Sequence, residues 1–175
     1  MQIIYEVEIT LIEYYRKGTE NCYPVIEVCP SCFSRQPLLR HGFYWRYALL
    51  LKRSYLLPIL RLKCPCCEQT FSLLPDFLLP FYQTPVKLIL EYLKRYWHDR
   101  RTAVYYQRLQ FYRRRFLKNL NLMEAFFREL GHRDIIPRML KGKAIKLLDM
   151  VNAFPKAETF ARRYHDHFQQ SFMAI

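Results

Sequence analysis

Four of the six cysteines in this chain fall into two pairs of identical spacing. "CPSC" holds Cys29 and Cys32, and "CPCC" holds Cys64 and Cys67. Two residues between thiolates let a tight turn aim both sulfurs at one ion about 2.3 Å away. Two such pairs supply the four ligands of a tetrahedral zinc. Pro30 and Pro65 each follow the first cysteine of a pair and restrict the turn. In this register Cys66 and Cys22 are spare thiols. Four thiolates leave a zinc ion no open position for water, so its expected role is structural. The cluster would carry net negative charge, so any positive field must come from arginines and lysines. "CPSC" also matches a thioredoxin-type redox motif, which would have to open a helix after a strand.

The segments around the cysteines must bring the pairs together. Between them, "RHGFYWRYALLLKRSYLLPILRLK" is rich in aromatic and β-favouring residues, broken by "LKRS". It predicts two antiparallel strands, with Leu60 and Leu62 on an apolar face and Arg61 and Lys63 on a basic one. "QTFSLLP" predicts a third strand. The order knuckle, long hairpin, knuckle, strand is that of a zinc ribbon, with a gap longer than the usual roughly 15–20 residues. Upstream, "MQIIYEVEI" alternates like a strand, and Thr10 with Glu13 forms a capping box for "TLIEYYRKG".

Charge narrows the choice of partner. The chain holds 28 Lys+Arg against 15 Asp+Glu, a formal net charge of +13. Residues 1–28 are net acidic, with two basic and five acidic side chains. Residues 29–75 carry seven basic and one acidic, and residues 94–118 nine and one. Two basic blocks on an ordinary background point to a polyanion. No Gly-rich phosphate loop occurs among the four glycines, and no apolar run reaches the roughly 18–20 residues of a membrane span. Glutamates stand at the N-terminus where a signal peptide would carry lysines, so a cytoplasmic protein with reduced cysteines is expected.

The second basic block reads as helical. In "QTPVKLILEYLKRYWHD", Thr84 is the expected N-cap and Pro85 the first helical residue. Residues 88, 89, 92, 93, 96 and 97 make an apolar stripe. "HDRRT" breaks the pattern, and Thr102 can cap a new helix to about Lys118. At 100° per residue Tyr105, Leu109, Tyr112 and Phe116 share a face about 60° wide, which is the expected core side. Gln107, Gln110, Phe111, Arg114 and Lys118 lie opposite. Arg108, Arg113 and Arg115 flank them, and Arg100 and Arg101 precede the helix. Glutamine can pair with adenine and arginine with guanine in a major groove, while flanking arginines hold phosphates. Two helices joined by a short turn, the second basic, form a helix-turn-helix pattern. The bland alternative is a solvated basic helix. Downstream, Asn121 and Glu124 suggest a capping box for a helix stopped by Gly131. Helices at about 143–154 and 156–171 follow, with Phe160, Tyr164 and Phe168 on one face of the last.

These motifs together resemble a known group. C-x-x-C, R-H-G, R-x-x-C-x-x-C and T-F-S-x-L-P are similar to the N-terminal zinc-ribbon region of bacterial insertion-sequence transposases. They resemble more closely a family of small bacterial zinc-ribbon/helix-turn-helix proteins found with mobile elements. "YYQRLQFYRRRFLKNL" looks like that family's DNA-binding helix. The resemblance implies sequence-directed binding to double-stranded DNA at transposon ends or a promoter, with a transposase or recombinase as candidate protein partner. It does not carry over the acidic-triad nuclease of full transposases, since three convergent carboxylates cannot be assembled from the scattered acids.

The expected fold class is therefore α+β: an N-terminal β zinc ribbon followed by an all-α helix-turn-helix region. The expected segments are 1–28 (strand and helix), 29–80 (ribbon), 84–131 (helix-turn-helix) and 132–175 (C-terminal helices). The expected function is a non-enzymatic, structural-zinc DNA-binding accessory factor, regulator or recognition module of a mobile element. An RNA-binding or protein-docking ribbon is the alternative. A small nuclease built on His165 and His167 of "HDH" is a further one.

Overall fold

The computed structural model describes residues 1–98 and 106–174 and divides into two compact units, Met1–Gln83 and Thr84–Ile175. Among the described residues there are one four-stranded sheet and six α-helices.

The first unit is built on the hairpin between the cysteine pairs. Strand β2 (Leu39–Leu49) pairs antiparallel with β3 (Ser54–Lys63). Their turn falls at the polar break, where the Leu50 amide donates to the Arg53 carbonyl at 2.8 Å. The register slips between Arg40 and Phe43, so two residues of β2 stand opposite one of β3. Gly42 takes φ +86° there, a left-handed conformation that β-carbon-bearing residues rarely adopt. The glycine of "RHG" therefore has a backbone reason. Strand β4 (Thr70–Pro75) adds antiparallel to β3, and β1 (Gln2–Tyr5) adds parallel to β4, giving the order β1-β4-β3-β2. The segment 1–28, set apart in the sequence reading, thus shares the sheet of the cysteine-bearing segment.

Helix α1 (Leu11–Lys17) has the expected capping box, with the Thr10 amide and hydroxyl donating to Glu13 at 2.8 and 2.7 Å. Its Tyr14 is buried and donates to the Pro58 carbonyl at 2.9 Å, beyond the point where the β3–β4 register ends. Leu57, Ile59, Leu60, Phe71 and Leu73 complete a dry core. Each such side chain contributes roughly 1.5–3 kcal/mol. Arg46, counted in the basic block, serves inside the unit. Its guanidinium donates to the carbonyls of Leu79 at 2.9 Å and Tyr82 at 2.6 Å, tying the segment after β4 to β2.

The second unit contains α2 (Val86–His98), α3 (Tyr106–Lys118), α4 (Leu120–Glu129), α5 (Leu140–Asn152) and α6 (Ala157–Phe168). Its centre is aromatic: Phe127 stacks on Phe160 at 5.6 Å, and Phe126 meets Tyr164 edge-on at 5.4 Å. The Thr84 hydroxyl, expected to cap α2, accepts from the Tyr112 hydroxyl at 2.7 Å. The capping box expected at Asn121 and Glu124 does not form. Helix α4 starts two residues early, behind buried Asn119, whose side-chain amide donates to the carbonyls of Arg115 and Ala174. Asn121 instead accepts from Lys143, and Glu124 pairs with Lys143 and Arg128. The stop at Gly131 does form. At φ +87° it donates to Arg128, and His132 donates to Phe127, the two bonds of a Schellman motif.

Candidate metal centre and candidate nucleic-acid interface

Each cysteine pair folds into the same turn. In the first, the Cys29 amide donates to the Ser34 carbonyl at 3.0 Å, and Phe33 donates back to Cys29 at 2.9 Å. In the second, Cys64 donates to Gln69 at 2.9 Å, and Glu68 donates back to Cys64 at 3.1 Å. The amides of Ser31 and Cys66 each donate to the sulfur of their first cysteine at 3.4 Å. Cys66 therefore occupies in the second turn the place of Ser31 in the first, and its own side chain is exposed. Phe33 and Glu68 both adopt left-handed φ, 57° and 59°. Such strain in a residue other than glycine costs on the order of 1–3 kcal/mol and persists only where the surroundings enforce it.

The two turns face each other. The sulfurs of Cys29 and Cys67 lie 3.7 Å apart, as do those of Cys32 and Cys64. All four fall within 4.8 Å of one another. A tetrahedron with metal–sulfur bonds of about 2.3 Å has edges of about 3.8 Å, so the cage has the size such an ion needs. The four cysteines are positioned to hold a metal ion. Cys29 and Cys64 are fully buried in the sheet's core cluster. Neither pair opens a helix; each lies in a turn, unlike a thioredoxin-type motif.

The thiols do not titrate alike. Burial works against ionising Cys29, but the amides of Cys32 and Ser31 outweigh it and bring the thiol down to about 6. A backbone bond from Ser34 favours the Cys32 thiolate, yet burial and the sulfurs of Cys29 and Cys67 push that thiol up to about 12. One negative charge in the cage thus opposes the next, and a dication relieves the conflict.

The expected interface helix is α3. Leu109, Tyr112 and Phe116 are buried, as the helical plot requires. Gln107, Arg108, Phe111, Arg114 and Lys118 are exposed. Gln110, Arg113 and Arg115 are half-buried and already engaged. Arg113 donates to the Gln110 side-chain oxygen at 3.1 Å and lies 5.7 Å from the Tyr96 ring centre, while Arg115 lies 4.9 Å from that of Phe111. The exposed face is therefore narrower than the helical plot suggests. Arg100, Arg101, Thr102 and Tyr105 lie outside the described residues. The two histidines of "HDH" diverge: His167 meets Glu129 at 2.8 Å, and half-buried His165 meets Asp166 at 3.8 Å. Among the described residues, the four cysteines are the group of three or more His, Cys, Asp or Glu side chains placed to share an ion. No described helix is long and apolar enough to cross a membrane.

Trp45 and Tyr47 were read only as strand formers, yet both are exposed on β2. The signal was present as consecutive aromatics on both faces of a strand that has one core to fill.

Residues 29–107 match the model of a family described as a domain of unknown function (DUF6431). The match spans both cysteine pairs, the hairpin and α2, and is under half of the chain. No curated protein and no solved structure matches.

Proposed function

We propose that this chain is a non-enzymatic DNA-binding protein in which one structural zinc, held by Cys29, Cys32, Cys64 and Cys67, orders a ribbon and α3 reads duplex DNA. Its role is that of an accessory factor, regulator or recognition module of a bacterial mobile element, in a cytoplasmic setting. The observation that carries this reading is the solvent face of α3. Gln107, Arg108, Arg114 and Lys118 are all exposed on a helix without an acidic residue. Gln107 and Arg114 supply donors and acceptors suited to base edges, and Arg108 and Lys118 supply charge for phosphates. The thiolate-rich cage favours zinc over harder cations. The resemblance of the cysteine and R-H-G motifs to mobile-element proteins supports the biological setting.

The test begins with selection of a bound site from random duplexes. Affinity is then measured for the selected and a scrambled duplex across a salt series. Arg114→Ala should cost about 1–3 kcal/mol on the selected site and relax one base position. Arg108→Ala should weaken both duplexes alike and lower the salt slope by about one unit. Parent-like binding by both variants removes α3 from the interface.

A further inference from the structure

The first unit has an exposed surface that its own core does not explain. Trp45 is 56% exposed and Tyr47 49%. They occupy alternate positions of β2, so strand geometry puts them on one face. Leu56, opposite Tyr47 in the register, is also exposed. β2 is the outer strand of the sheet. At one end of the hairpin the turn exposes Lys52 and Arg53, and at the other Arg40 and His41 are exposed. From Cys29 to Cys67 the chain contains no aspartate or glutamate.

Exposed rings between cations, on a hairpin that itself carries no acid, fit one class of occupant. Two side chains on alternate strand positions stand about 6.6–6.8 Å apart, about twice the 3.4 Å spacing of stacked bases. One base can therefore stack on each ring, or one between them. A duplex keeps its base faces covered, whereas a single strand can splay them onto aromatic side chains. Phosphates flanking those bases would meet the cations at the hairpin ends. A second copy of this chain would bring the same positive charges to the same face, so self-association there is opposed.

We propose that the β2–β3 hairpin is a platform for single-stranded nucleic acid, with bases stacking on Trp45 and Tyr47 and phosphates held by Lys52 and Arg53. This surface is separate in sequence from α3 and does not depend on how α3 acts.

The chain has two tryptophans, Trp45 and Trp97. In the metal-loaded Trp97→Phe protein, emission reports on Trp45 alone. An oligothymidylate should quench it saturably. Anisotropy of a labelled oligothymidylate with the otherwise unaltered chain gives the same affinity without relying on that substitution. Trp45→Ala and Tyr47→Ala should each weaken binding about tenfold. Arg53→Ala should lower the single-strand salt slope by about 0.7. Arg114→Ala in α3 should leave oligothymidylate binding unchanged, which separates failure of this platform from failure of the duplex reading. Four results overturn the proposal: no saturable quenching, an unchanged affinity in Trp45→Ala, equal competition by dextran sulfate at matched charge, or equal loss of duplex and single-strand binding in Trp45→Ala.

Discussion

The two units are similar in length but differ in what keeps their ends in place. In Thr84–Ile175 the chain closes on itself through packed rings, with Phe127, Phe160, Tyr164 and Phe172 all fully buried. In Met1–Gln83 a core of Leu57, Ile59, Leu60 and Phe71 fills the sheet's middle. The two cysteine turns, one ahead of β2 and one between β3 and β4, are held at the edge of that core by backbone bonds, two left-handed residues and four sulfurs. Packing works wherever apolar side chains can reach one another. A cluster of thiolates repels itself and holds only around a cation. The first unit therefore carries a conditional element, and the second shows none among its described residues.

The largest effect should come from Cys64→Ser. Losing one ligand of a structural zinc site forfeits a binding energy on the order of 10 kcal/mol. The expected outcome is loss of the metal and of amide protection at residues 29–38 and 62–70, with α4 and α6 as protected as in the parent. Cys66→Ser should keep a full equivalent of metal, because Cys66 occupies the place of Ser31 and contributes an amide rather than its thiol to the turn. Metal analysis and hydrogen exchange read both results. A full metal content in Cys64→Ser with none in Cys66→Ser would overturn the ligand set.

Phe160→Ala is the converse perturbation. The ring is fully buried and touches Phe126, Phe127, Phe154, Tyr164 and Phe172. Its removal should cost about 3–5 kcal/mol. Metal content and protection in β3 should stay unchanged while α4 to α6 melt at lower denaturant. A simultaneous loss of metal would show that the units unfold as one and would break the contrast.

These regions were not equally legible in the sequence. The four-cysteine cluster could be read from spacing alone, because a C-x-x-C turn is a local device and two of them can converge on one point. The hairpin followed from β-favouring residues around a polar break, and the core side of α3 from helical period. What local pattern could not give was partner choice across the chain. Asn121 and Glu124 satisfy a capping-box template, but Lys143 on α5 engages both, and buried Asn119 holds the junction through the distant Ala174 carbonyl. Arg46 looked like part of a polyanion-binding block because nothing nearby marks the carbonyls of Leu79 and Tyr82 as its acceptors. Arg113 and Gln110 read as two separate contacts, yet they bond to each other. The left-handed Phe33 and Glu68 were hidden because neither position carries the glycine that usually marks such a backbone.

The smallest expected effect separates the units by acid. Metal leaves a thiolate cage as its ligands take up protons, so the ends of the first unit should loosen when the pH is lowered modestly. The second unit has no such cage among its described residues and should respond to carboxylates instead. Asp134 accepts from Lys146 at 2.8 Å, and His132 lies 3.6 Å from its other oxygen. The hydrogen bond and charge of Lys146, with a smaller contribution from His132, hold the Asp134 carboxyl below its usual range. A depressed folded value means the unfolded chain binds a proton first. The stabilisation is therefore fully present above the ordinary aspartate range and fades as pH falls through the folded value. Both partners are partly exposed to solvent, which screens the pair, so the contribution is a small one. Urea unfolding of α4 to α6, followed from neutral to strongly acidic pH, should show a parent slope that Asp134→Asn reduces and Cys64→Ser leaves alone. Metal release, followed by a colorimetric chelator over the same series, should precede that slope in the parent and be unaffected by Asp134→Asn. A release midpoint that moves with Asp134→Asn would mean that acid acts on both units through one transition.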